Sequence, residues 1–100
     1  MIEIIALIEV KDNDAYTEYE TQAVRIMKQY GGKLLSAFEP NENESSLNEV
    51  SEVHYLSFPS LLSFSEYKGS KDLANLSELK ERAIKNIKVI VSGKVKSYEN

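Results

Sequence analysis

His54 carries the only imidazole of this 100-residue chain, and imidazole is the side chain whose unperturbed protonation equilibrium lies near neutrality. It stands in the run Glu52-Val53-His54-Tyr55-Leu56-Ser57-Phe58, with a carboxylate two residues before it and a phenol directly after. Such an imidazole suits proton transfer to or from a substrate hydroxyl or enol, which makes His54 the candidate catalytic residue. The competing role is a strand histidine hydrogen-bonded in a sheet or at an interface. A lone titratable group also falls short of the convergent set that an active site needs. Six tyrosines form the second candidate group: Tyr16, Tyr19, Tyr30, Tyr55, Tyr67 and Tyr98. Packing is their default role, with each buried hydroxyl needing a partner. The sharper expectation is that Tyr19, His54, Tyr55 and Tyr67 line a cavity for a small aromatic or polyketide-like molecule, apolar with a few polar tips. Arg25 and Arg82, the two arginines, are expected in surface ion pairs, with carboxylate binding as the alternative.

Other chemistries find little support. One histidine and no cysteine leave carboxylates as the remaining metal ligands, and none cluster at ligand spacing, so no metal site is expected. Haem ligation by His54 would need more chain than this to enclose the macrocycle, and no cofactor is expected. Gly31-Gly32 follows a helical pattern and precedes a strand pattern, the reverse of the order that aims backbone N–H groups at phosphate. A net charge of -4 and a pI of about 5.0 argue against a nucleic-acid partner, which needs clustered Lys and Arg. No run approaches the ~20 apolar residues of a membrane span. The N-terminal segment, with Glu3 and Glu9 and no basic leader, does not read as a signal peptide. The lack of cysteine suits a reducing compartment, so a cytoplasmic location is expected.

The elements that must position these residues follow from periodicity. Residues 2–10 alternate, with Ile2, Ile4, Ala6, Ile8 and Val10 on one face and Glu3, Ile5, Leu7 and Glu9 on the other, as in a strand buried on both faces at its centre. Lys11-Asp12-Asn13-Asp14 offers N-caps. Tyr16, Tyr19, Ala23, Ile26, Met27 and Tyr30 then form one helical stripe, leaving Glu18, Glu20, Arg25 and Lys28 for solvent. Gly31 suits the left-handed position that ends a helix.

A second strand is expected from Lys33 to Glu39 and a third from Glu52 to Phe58. The polar stretch Pro40–Ser51 between them is long for a connection, and residues 40–52 hold four acids and no base. By contrast, residues 53–100 hold eight bases and five acids. Ser60 caps a short helix that Gly69 interrupts. A further helix is predicted from about Asp72 with Leu73, Leu76, Leu79, Ala83, Ile84 and Ile87 on one stripe, its main part starting at the capping pair Asn75 and Glu78. The last strand is predicted from Lys88 to about Tyr98, with a bend or bulge at Gly93.

The order β–α–β, β–α–β predicts one domain over residues 1–100. Its fold class is α+β, a ferredoxin-like βαββαβ sandwich whose four-stranded antiparallel sheet has both helices on one face. The uncovered sheet face carries apolar residues, so a homodimer with sheets packed face to face is expected. An RNA-recognition domain shares this element order, but the acidic charge and the aliphatic first strand exclude it.

Several motifs together resemble a family of small uncharacterised bacterial proteins, a domain of unknown function in the dimeric α/β-barrel superfamily. They are Tyr16-x-x-Tyr19 with Ala23, Tyr30-Gly31-Gly32-Lys33, the run Glu52 to Ser60, Leu76-x-x-Leu79-Lys80-x-Arg82-Ala83, and Val89-Ile90-Val91-Ser92-Gly93. The resemblance covers nearly the whole chain, least so residues 40–51. There many relatives carry a Glu-Gly pair that Asn43 to Val50 lacks. It implies kinship with antibiotic-biosynthesis monooxygenases, in a superfamily that also includes muconolactone isomerases and haem-dependent peroxidases. One fold hosting several activities leaves function to the site. Three readings follow: a homodimer binding a small apolar or aromatic ligand, a cofactor-independent monooxygenase or isomerase, and a protein-interaction module.

Overall fold

A computed structural model describes residues 1–99. The elements run β1 (Ile2–Val10), α1 (Asn13–Gln29), β2 (Lys33–Phe38), β3 (Glu52–Phe58), α2 (Leu61–Lys68), α3 (Lys71–Ala74), α4 (Ser77–Ala83) and β4 (Ile84–Val91). The strands form one antiparallel sheet in the order β2-β3-β1-β4. Two β–α–β crossovers interleave, which places the first and third strands at the centre. Among the described residues, no helix is long and apolar enough to cross a membrane.

Helix α1 begins at Asp12, whose side chain accepts from the Ala15 N–H. It ends where Gly31 takes φ +79°, with the Gly31 and Gly32 N–H groups closing on the carbonyls of Lys28 and Met27. That pattern satisfies the last helical acceptors and needs a residue without a Cβ at Gly31. The buried stripe is Ala15, Tyr16, Tyr19, Ala23, Ile26 and Met27; all of these but Ile26 join the core clusters that contain Ile4, Ala6 and Ile8 of β1. Ser60 caps α2 in a reciprocal box with Ser63, as its position before the apolar run predicted.

The second half departs from expectation at three points. The predicted helix from Asp72 to Ile87 is two short pieces ending at Ala83, and the last strand starts at Ile84 rather than Lys88. Ile84 and Ile87 pair instead with Val10 and Ile8 of β1. Both residues are β-branched, and a ladder on the central strand satisfies their backbone better than another helical turn. The expected cap at Asn75 is also displaced: Asn75 ends α3, and α4 starts after Leu76 without a side-chain cap. The strand stops at Val91, so Gly93 lies beyond it and makes no bulge, with no atom within 4 Å of a Cβ built there.

Register fixes which side chains face the helices. On β3 these are Glu52, His54, Leu56 and Phe58, opposite Ile8, Ala6, Ile4 and Ile2 of β1. The other face carries Val53, Tyr55 and Ser57 opposite Leu7, Ile5 and Glu3, joined by Phe38 and Ile90 from the outer strands. Among the described residues, no helix covers that second face.

Candidate functional site

His54 sits between two alanines, Ala6 on β1 and Ala37 on β2, which oppose it in the ladder. Small neighbours leave the imidazole room to lie against the helix layer, where it is buried. Beside it a cavity of about 150 Å³ opens between sheet and helices. Its walls combine apolar side chains such as Ala6, Ala23 and Leu56 with Tyr19, Glu20, His54 and Tyr67, and with Lys68 and Lys80. Ala6 on β1 and Ala23 on α1 both line it, and small side chains there leave room for the space.

The imidazole has a partner on each nitrogen. Nε2 lies 2.7 Å from Glu52 Oε1 and 3.1 Å from the Tyr16 hydroxyl, which in turn donates to Glu52 at 3.1 Å. On the opposite side, Nδ1 stands 3.7 Å from Glu20 Oε2. A carboxylate only accepts, so the short contact to Glu52 assigns a hydrogen to Nε2. Nδ1 is then left facing Glu20, within ion-pair reach though too far for a hydrogen bond. The His54 side chain is 6 % exposed, against 22 % for Glu20 and 27 % for Glu52. The histidine thus bridges two partly exposed carboxylates, Glu20 on the cavity wall and Glu52 away from it.

Protonation states separate the roles. Burial, followed by the charges of Glu20 and Glu52, raises the Tyr16 phenol well above its ordinary value. Burial and then the Glu20 charge push Tyr19 up to about 12. Tyr67 is also raised, by burial first and then by Tyr19 and Glu20. All three phenols therefore keep their protons at neutral pH and act as donors. Glu20 is raised above the usual carboxylate range because burial outweighs the opposing pull of His54, with Glu52 adding to the rise and Lys80 lowering it. A desolvated carboxylate of this kind is a stronger base than an exposed one.

Of the residues singled out by sequence, the structure gathers Tyr19, His54 and Tyr67 at one cavity. Tyr67 is held by the rings of Phe58 and Tyr30, with centroids 5.3 and 6.3 Å away. Tyr55 goes elsewhere. It follows His54 on a strand, so alternation turns it to the uncovered face, where its hydroxyl donates to Glu3. That bond is the main cause of the raised Tyr55 phenol. Neither arginine lines the cavity; the cations there are Lys68, over the Phe64 ring at 4.4 Å, and Lys80.

Glu20 is the correction of most consequence. Assigned to solvent from the helical stripe, it is half-buried on the cavity wall. The signal was its place four residues after Tyr16 and four before Val24, at the margin of the apolar stripe. Among the described residues, no three of His, Cys, Asp and Glu converge as metal ligands would. Glu20 and Glu52 approach opposite nitrogens of one ring, which is no chelating geometry.

The sheet order and one-sided helices define a ferredoxin-like α+β protein. Solved structures of the same fold include a protein of unknown function from Rhodopseudomonas palustris, with TM-score 0.80 and 16% identity, over 96% of this chain and 83% of that one. A dabb family protein with a ferredoxin-like fold from Mesorhizobium loti matches at TM-score 0.71 and 11% identity, over 95% and 97%. An antibiotic biosynthesis monooxygenase matches at TM-score 0.69 and 14% identity, over 96% and 100%. These likenesses concern the fold alone. Residues 4–94 match the model of the domain of unknown function DUF1330, and the chain belongs to that family. No curated protein matches it.

Proposed function

We propose that the chain is a single-domain cytoplasmic homodimer of the α/β-barrel type that binds a small, largely apolar molecule between sheet and helices. The observation that carries this reading is the cavity of about 150 Å³ with apolar walls and the polar tips of Tyr19, Glu20, His54 and Tyr67. A space of that size holds a single six-membered ring, since an apolar cavity of about 150 Å³ accepts benzene. Lys68 and Lys80 flank it and favour a ligand with an electron-rich oxygen.

Amide spectra recorded with single-ring ketones and phenols test the reading. Shifts should concentrate on the cavity walls, and Val24→Phe, which fills the space from α1, should abolish them. Binding that survives Val24→Phe, or no shifts with any such compound, would sink it.

A second reading is supported by Glu20 and His54 meeting at the same wall: a cofactor-independent enzyme of isomerase or oxygenase type whose first step moves a proton. An interaction module is the weaker alternative, because it has no use for an internal cavity lined by polar tips.

A further inference from the structure

We infer that Glu20 is the base of this cavity, and that His54, held by Glu52 and Tyr16, is a relay carrying its proton to the outside of the molecule. The inference rests on the second reading above and adds the residue, the route and the substrate class. Three observations converge on it. Glu20 and His54 both line the cavity, whereas Glu52 and Tyr16 do not. The imidazole presents one nitrogen to each carboxylate, Nδ1 to Glu20 at 3.7 Å and Nε2 to Glu52 at 2.7 Å. Tyr16 bonds to both Nε2 and Glu52, which fixes the ring plane and holds Glu52 as an acceptor.

The phenols exclude themselves as bases because they stay protonated, and they supply hydrogen-bond donors instead. The groups facing Glu20 are Tyr16 and Tyr19 from its own helix and His54 and Glu52 from β3. Lys80 comes from α4, and Tyr67 and Lys68 come from α2 across the cavity. Burial raises Glu20 into a range where a carboxylate abstracts protons more readily than at the surface.

The substrate class is a small neutral carbon acid, a ring-sized ketone with a hydrogen on the carbon next to its carbonyl. Glu20 takes that hydrogen as a proton. The C–H electron pair becomes the C=C bond of an enolate, and the carbonyl π pair moves onto oxygen, where the Tyr19 or Tyr67 O–H hydrogen-bonds to it. The proton passes from Glu20 to Nδ1 as the Nε2 proton passes to Glu52 and then to water. Reversal returns a solvent proton to carbon, so no oxidant or reductant is needed. The 3.7 Å gap closes by rotation of the Glu20 side chain, and catalytic hydrogen bonds commonly tighten only around bound substrate.

Cyclohexanone in heavy water tests the step, with proton spectra following loss of its α-hydrogen signals. Exchange should run about 10²–10⁴-fold faster with the wild type than with Glu20→Gln, the range expected of a positioned base. Glu52→Gln should slow it less and move its pH profile to lower pH. Carboxyl carbon spectra then read Glu20 directly, without any ligand. Its midpoint should lie above the ordinary carboxylate range, fall in Glu52→Gln and rise in His54→Asn.

The possible failures are separable. Cyclohexanone that shifts the cavity resonances but exchanges equally with Glu20→Gln overturns the base assignment while leaving ligand binding intact. Cyclohexanone that shifts none of them removes the substrate class and counts against the binding reading. A Glu20 that titrates in the ordinary range, or ignores Glu52→Gln, overturns the relay whatever the ligand result.

Discussion

Glu20 is held in a setting that opposes its charge. Burial is the leading cause of its raised protonation equilibrium, and the Glu52 charge adds to it, while His54 and Lys80 offset only part. The folded chain therefore binds this proton more tightly than the unfolded chain does. The stabilisation is complete below the ordinary carboxylate range and is lost as pH rises through the raised folded value. Above that value the ionised carboxylate costs stability, a cost typical of groups kept for function. Glu20→Gln keeps the shape and removes the charge, so it should raise the melting temperature at pH 8 and leave it near wild type at pH 4. Thermal melts at the two pH values check this. A variant less stable than wild type at pH 8 would mean that the ion pair with His54 outweighs desolvation. Much of this site was out of reach of the sequence. His54, Tyr19 and Tyr67 announce themselves by type, but Glu20 looks like any solvated helix acid until a sheet is laid against its helix. Tyr55 illustrates the reverse case, because period-two alternation already separates it from His54.

The junction after α1 shows how much of an element local chemistry decides. Gly31 is legible, because a helix ending before a strand calls for a left-handed residue, and its φ is +79°. Gly32 is not legible. Its Cα passes so near the buried pair Met27 and Phe58 that an added Cβ would lie 2.7 Å from Phe58 Cζ and closer still to Met27. Phe58 is 1% exposed and packs at a tilt against Phe64 with centroids 5.1 Å apart, so it has little room to retreat. Gly32→Ala should therefore destabilise the fold by about 1–3 kcal/mol, the usual cost of overpacking a filled core. Urea unfolding measures this, and a change within error would show that the ring shifts freely. The boundary between α4 and β4 was hidden for a related reason. Leu79, Ala83, Ile84 and Ile87 fit a helical stripe, and only the partners Val10 and Ile8 decide that the last two belong to a strand. Periodicity is local information, whereas strand pairing is not.

At the scale of the whole molecule, the uncovered sheet face is the feature that a single copy leaves unresolved. Ile5 lies at its centre with Tyr55 on one side and Ile90 on the other. Its exposure is 38%, against 54% for Ile90 and 51% for Phe38 on the outer strands. Helices cover the opposite face alone, so these apolar side chains meet water unless a second sheet meets them. A second copy would supply a matching face by symmetry, and the proposed contact would be self-complementary about a two-fold axis. The pair Tyr55–Glu3 on the same face would then be removed from water as a bonded unit, which limits its desolvation cost. Wild type should sediment at twice the 11.3 kDa chain mass at micromolar concentration. Ile5→Glu should sediment as a monomer that keeps the wild-type far-ultraviolet dichroism, because Ile5 lies on the uncovered face and outside the helix-side core. Its unfolding midpoint should also lose the dependence on protein concentration that a dimer imposes. A wild type that stays monomeric at these concentrations would contradict the homodimer and leave the apolar face to some other partner.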